Sequence, residues 1–192
     1  MGIRMTSMIR RALGVLLAAW LIQSGAAPVL SIEPSTGGIG KGQSFSAGVV
    51  VRDASDLFAY QFDLAFDPAL LEVTGVEEGG LLPAGGPTVF FPGIVDNQAG
   101  LISFVLGTLT DDLPGVSGDG DLARINFRAR NATGIAGLSV LHITLLDSTL
   151  ADIAFIPPEA APVAVVPAPG TAPLVAAMLL VMGSMLRRRV SP

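Results

Sequence analysis

The chain has no cysteine, which excludes a disulfide framework and any thiolate nucleophile or thiolate metal ligand. It has a single histidine, His142, so a histidine-based triad or a multi-histidine metal site lacks its partners. Trp20 and Tyr60 are the only residues of their types. Flat sugar platforms stack pyranose rings on exposed Trp and Tyr, so that mode of binding has little material here. Charged residues make up only 14% of the chain. No amphipathic pattern of helical period runs for any length, and no loop motif specifies a catalytic pair among the 16 acidic residues. These gaps point away from an enzyme.

A length of 192 residues suggests one domain. The mean hydropathy of +0.64 is high for a soluble protein, and the excess gathers at the two ends. The N-terminus carries Arg4, Arg10 and Arg11, an apolar run from Ala12 to Ile22, and then Gln23-Ser24-Gly25-Ala26. A basic region, a short apolar run and small residues at the cleavage positions make a secretory signal peptide. Residues 1–26 are therefore expected as a signal helix, cut after Ala26.

At the other end, Pro167-Ala168-Pro169-Gly170 precedes an apolar stretch from Ala172 to Leu186, closed by Arg187-Arg188-Arg189. That stretch is shorter than the roughly 20 residues a spanning helix prefers, and its arginines belong on the cytoplasmic side. The pattern resembles the PEP-CTERM sorting signal, with Ala168 where that family usually has Glu. The resemblance implies an exosortase-type processing enzyme as a partner; a plain C-terminal transmembrane anchor is the other reading. Pro167, Pro169, Gly170, Arg187, Arg188 and Arg189 are the sorting residues, within a segment 171–192. Either reading places the body outside the cytoplasm, at the cell surface or in the extracellular space.

Residues 27–166 hold every acidic residue of the chain but only Lys41, Arg52, Arg124, Arg128 and Arg130 as basic ones. Such an imbalance repels nucleic-acid phosphate, so nucleic acid is excluded as a partner.

The body reads as short strands. Phe58, Tyr60, Phe62, Leu64 and Phe66 alternate with Ala59, Gln61, Asp63 and Ala65, a period of two that puts the rings on one face. Phe45, Ala47, Val49 and Val51 share a face in a second strand. Ala123, Ile125, Phe127 and Ala129 alternate with Arg124, Asn126, Arg128 and Arg130 in a third. Leu141, Ile143 and Leu145 make one face of a further strand, with His142 opposite. Ile102, Phe104 and Leu106 are expected inside another, and Leu70–Val76 and Val29–Glu33 are also strand-like. Gly and Pro clusters, Gly118-Asp119-Gly120 and Pro92-Gly93 among them, separate these runs. Short strands at this spacing predict an all-β antiparallel β-sandwich over 27–156. Residues 157–170 are expected as an extended Pro/Ala linker.

Leu57 through Val73, reading LFAYQFDLAFDPALLEV, resembles the cohesin signature, in which an alternating strand runs into Tyr/Phe-Asp-Pro and then Leu-Glu-Val. Gly40-Lys41-Gly42-Gln43-Ser44-Phe45 is similar to the glycine turn before that family's second long strand. Gly118 through Phe127 is similar to its glycine-loop-to-strand segment. The resemblance covers about Leu30 to Ile153. It implies a nine-stranded jelly roll shared with certain carbohydrate-binding modules, and a protein that docks dockerin modules on one sheet face. The outward Asn-x-Asp pair of many members falls on Ala59 and Gln61 here.

Four candidate sites follow. The outward row Ala59, Gln61, Asp63 and Ala65 is either a docking surface for a partner helix or an ordinary solvated face. Phe90 and Phe91 are expected in a Gly/Pro-rich loop, and if exposed they are glycan contacts. Asp111, Asp112, Asp119 and Asp121 are carboxylates suited to calcium, the one cofactor in view, though Asp beside Gly is also a plain turn preference. Arg124, Arg128 and Arg130 form a stripe that either receives an acidic partner or pairs with neighbouring acids. The function expected is an exported, non-catalytic binding or scaffold module engaging a dockerin-like or other exported protein. The alternatives are a carbohydrate-binding module for extracellular polysaccharide and a purely structural surface protein.

Overall fold

The computed structural model describes residues 26–167. The expected signal helix and C-terminal helix, together with Pro169, Gly170 and Arg187–Arg189, lie outside them. Ala26 and Pro167 mark the two limits of the described part, both exposed and outside any strand. Among the described residues no helix is long and apolar enough to cross a membrane.

Among the described residues ten strands carry the fold, one more than the nine implied by the resemblance: β1 (Val29–Pro34), β2 (Gly38–Gly40), β3 (Ser44–Phe66), β4 (Leu71–Glu78), β5 (Thr88–Phe91), β6 (Ile94–Asp96), β7 (Leu101–Leu109), β8 (Val116–Ala129), β9 (Gly134–Asp147) and β10 (Ala161–Val166). The long β3 serves both layers of a β-sandwich. Its first half pairs with β1 and β8, and β8 pairs in turn with β4. Its second half lies between β9 and β7, in a sheet extended by β10 and β2 on one side and by β5 and β6 on the other. All of these pairings are antiparallel except β10 with β2.

The two strands expected on either side of residue 54 are therefore one, bent at Asp53 and Asp56. Both have left-handed backbones, with φ of 55° and 56°. Asp119 Oδ1 accepts the Asp53 N–H at 2.8 Å. Asp56 accepts the Gly115 N–H at 2.8 Å and the Ser148 hydroxyl at 2.7 Å, tying the corner to both layers. β8 likewise runs straight through Gly118-Asp119-Gly120, which pairs with β3 instead of turning.

The core is apolar throughout, with no buried polar or charged residue among those described. Tyr60, Phe62, Leu64 and Phe66 face inward as their alternation predicts, as do Phe45, Ala47, Val49 and Val51, and Ala123, Ile125, Phe127 and Ala129. Phe58 is only half-buried, and Leu57 takes the core position, because the register with β9 slips between Leu57 and Ala59. Gly107 leaves room for the Tyr60 ring: a Cβ there would lie 2.5 Å from it. The Tyr60 hydroxyl donates to the Leu122 carbonyl.

The stretch 157–170, expected as linker, contains β10. Proline content masked a two-residue apolar period. Val163 and Val165 are 0% and 2% exposed, between β9 and β2, and Pro162 sits near the strand start, where a missing N–H is tolerated.

Candidate functional site

The row Ala59, Gln61, Asp63 and Ala65 does face outward, at the middle of the sheet, and each residue is half-buried by the strands beside it. The register extends it into four rows. Ala59 lies between Leu146 and Thr108, with Val89 beyond. Gln61 lies between Thr144 and Leu106, with Phe91 beyond. Asp63 lies between Leu141 and the Ser103–Phe104 pair, with Ile94 beyond. Ala65 lies between Ser139 and Leu101, with Asp96 beyond.

The third row is irregular. Between Phe62 and Leu64, β7 spends one residue more than β3; between Gln61 and Asp63, β9 does the same. Each is a β-bulge, which adds a residue to one strand and re-aims its side chains. The two bulges carry Phe104 (φ 64°) and His142 (φ 48°) in the left-handed region, an uncommon conformation for residues with a side chain. Asp63 joins both: Oδ1 accepts the Phe104 N–H at 2.7 Å, and Oδ2 lies 2.7 Å from His142 Nδ1. An ionised carboxylate only accepts, so Nδ1 carries the proton and Nε2 faces solvent. Asp63 is thus not a free contact group; its side chain is 19% exposed, while that of His142 is 78% exposed.

The bulges correct two expectations. Phe104 and Leu106 are not core residues: Phe104 is 47% exposed, and Ile102, Val105 and Leu109 hold the interior positions of β7. Leu141 is also exposed rather than aligned with Leu145, while Leu138 and Val140 are buried. As a result Phe104 and Leu141 join Val89, Phe91 and Ile94 as exposed residues of one face. The rings of Phe91 and Phe104 meet edge to face, 6.3 Å between centroids. Sequence periodicity missed all of these; Phe91 was a candidate only as part of an expected loop. The signal present was the unbroken apolar run of β7, which fits either parity.

Phe90 and Phe91 sit on β5, not in a loop. Their side chains diverge: Phe90 packs against the core and only Phe91 faces outward. The four calcium candidates do not converge. Asp111 and Asp112 line an open depression of about 420 Å³ with Phe58, Leu113, Pro114, Ser148 and Leu150. Asp119 binds the Asp53 amide, and Asp121 pairs with Arg124 at 2.9 Å. Among the described residues no three His, Asp or Glu side chains gather as a metal site would require. The arginine stripe is engaged locally. Arg128 Nε donates to the Gly42 carbonyl, Arg130 Nε to the Leu71 carbonyl, and Arg130 lies 3.8 Å from Glu72.

Two carboxylates border this sheet with their charge secured. Asp96 is held below its usual range by the N–H groups of Ala99 and Gln98, and Asp147 by the Thr149 hydroxyl and the Ala151 N–H.

A family model described as "Cohesin domain" matches residues 29–154. Cellulose-binding protein A of Clostridium cellulovorans is 28% identical over 127 residues, covering 62% of this chain and 6% of that relative's length. Among solved structures, a non-cellulosomal cohesin from the archaeon Archaeoglobus fulgidus superposes with a TM-score of 0.55 at 18% identity, covering 72% of this chain and 91% of the other. The sixth cohesin of the Acetivibrio cellulolyticus scaffoldin B, solved in complex with a Cel5 dockerin, gives 0.58 at 20% identity, covering 73% and 99%.

Proposed function

This chain belongs to the cohesin domain family, a family of non-catalytic protein–protein interaction modules, and we propose that it is an exported scaffold module that docks a helix of a dockerin-like partner on the outer face of the β9–β3–β7–β5 sheet. One observation carries this reading. The exposed Val89, Phe91, Ile94, Phe104 and Leu141 sit together around small or polar residues of β3. A cluster of exposed apolar side chains on one sheet face marks an interaction site, and Ala59 and Ala65, in the first and last rows of the face, allow close approach of a helix backbone.

The ends of the sequence support export. A signal peptide cut after Ala26 sends the body out, and the Pro167–Arg189 stretch serves as a sorting signal for an exosortase-type enzyme or as an anchor. Mass spectrometry of the mature chain tests this part: a chain starting at Met1 overturns it.

Docking is tested by capture from the host's secreted fraction. Phe104→Asp and Gln61→Lys should each abolish capture of the same dockerin-bearing protein while the circular dichroism spectrum is unchanged. Capture that survives both variants overturns the assignment of this face. The Phe91–Phe104 ring pair supports a second reading, attachment to extracellular polysaccharide, which predicts retention on polysaccharide columns that Phe91→Ala removes.

A further inference from the structure

We infer, on the docking reading given above, that Asp63 is the positioning residue of this face: its one carboxylate closes a bulge on each neighbouring strand and thereby turns Phe104 and Leu141 outward.

β3 alternates without interruption from Tyr60 to Phe66. Each strand beside it carries one extra residue opposite the same point, Asp63. An extra residue leaves a backbone group outside the ladder, and an unpaired N–H is costly unless something accepts it. On the β7 side the acceptor is Asp63 Oδ1, bonded to Phe104 N–H; on the β9 side Oδ2 holds the His142 ring. The partners lie 41 and 79 positions from Asp63, so the carboxylate fixes the two bulges only once the sheet is assembled. Were both ladders regular, Phe104 would share the side of Ile102, and Leu141 that of Ile143 and Leu145. The two bulges therefore turn two would-be interior side chains into the centre of the exposed patch, where Phe104 reaches Phe91. Few charged groups compete for the carboxylate. Among the described residues facing it, β9 contributes only His142, β7, β5 and β10 contribute none, and β6 contributes Asp96.

Asparagine and alanine separate the two halves of this role. In Asp63→Asn the side-chain oxygen still accepts from Phe104 N–H, but its NH₂ meets His142 Nδ1, which must then become the acceptor. In Asp63→Ala both partners are lost.

The test uses the isotope-labelled full chain in detergent micelles. In Asp63→Ala the Phe104 amide should exchange roughly ten- to a hundredfold faster, as expected for a lost charge-assisted bond. The Phe91–Phe104 ring cross-peak should vanish while the Tyr60–Phe62 cross-peak remains. In Asp63→Asn the ring cross-peak should persist, and at alkaline pH the His142 proton should move from Nδ1 to Nε2. An unchanged Phe104 amide and ring cross-peak in Asp63→Ala overturns the inference. If that variant does not fold, a proton that stays on Nδ1 in Asp63→Asn overturns it instead. Should Asp63→Ala move the rings as expected yet capture the dockerin-bearing partner as well as wild type, the positioning role stands and the docking reading falls.

Discussion

Asparagine placed at Phe104 and, separately, at Val105 decides which of two adjacent residues belongs to the core. Phe104 is 47% exposed and Val105 0% exposed. A Phe side chain presents about 200 Å², so roughly half of that is covered here. At about 25 cal/mol/Å², the loss is about 2.5 kcal/mol as an upper bound, and about 2 kcal/mol once the area that the unfolded chain already hides is taken off. Asparagine also tolerates the left-handed backbone at this position better than phenylalanine does, which returns about 0.5–1 kcal/mol. Phe104→Asn should therefore cost about 1 kcal/mol.

Val105→Asn has no such relief. It removes a fully buried aliphatic side chain, worth about 1.5–2 kcal/mol, and leaves an amide without partners in the core, a further 1–3 kcal/mol. Its cost should be at least about 2.5 kcal/mol. The assay is guanidinium denaturation followed by circular dichroism, with the m-value constant across variants so that midpoint shifts report stability alone. If the bulge were absent and the parity unbroken, the order would invert. A Phe104→Asn variant less stable than Val105→Asn refutes the register on which the proposed docking face depends.

Asn97→Ala should lose about 2 kcal/mol, because its amide accepts from Val73 N–H at 2.7 Å and donates to the Val73 carbonyl at 3.0 Å; faster exchange of the Val73 amide checks it. Gly107→Ala should cost about 1–3 kcal/mol by overpacking against the Tyr60 ring, read as a lowered melting temperature. Burial, and secondarily the Glu78 carboxylate, raise the Tyr60 phenol above its ordinary 10.0. The raised value stabilises the fold below pH 10.0, and this contribution is lost as pH climbs toward the folded-state value. Tyr60 is the chain's only tyrosine, so phenolate absorbance should appear together with unfolding, and an earlier rise would contradict its burial. Asp147 is lowered from 3.8 in the folded state, first by Thr149, so it supports folding above that value and ceases to as pH falls through its folded value. Asp147→Asn should flatten the acid limb of the denaturation midpoint against pH.

The strands that bury one face were legible because their alternation is strict. Phe45 to Val51 and Ala123 to Ala129 each place four apolar residues at every second position, and all eight are buried. What escaped was whatever depends on distant partners. A bulge leaves no mark on local periodicity when the residues around it are apolar on both parities, as in Leu101–Leu109, and here the group that closes it lies on another strand. β2 is three residues long and exists only because β10 runs parallel beside it. The candidate row on β3 was legible, but it is only the floor of the proposed site; the exposed side chains around it are Phe91, Phe104 and Leu141, supplied by strands whose parity the sequence did not reveal.

The two outer faces of the sandwich differ in how their polar groups are spent, and that difference supports the docking side proposed above. On the β1–β3–β8–β4 face, Arg52 pairs with Glu33 at 2.7 Å, Arg124 with Asp121 at 2.9 Å, and Asn126 donates to Glu77 at 2.7 Å. A partner there would have to displace bonds already made, at a desolvation cost that exposed pairs seldom return. On the opposite face the Asp63 carboxylate is consumed by the bulges, so what remains for a partner is apolar surface, the Gln61 amide, the His142 ring and a few Ser and Thr hydroxyls, Thr144 and Ser139 among them. Apolar area supplies attraction without selectivity, and the few polar groups set which partner is refused. A helix ridge that brings a donor to Nε2 completes the site. One that brings a carboxylate there has Asp63 behind the ring and Asp96 at the rim, and finds neither lysine nor arginine to pair with among the described residues of this sheet region.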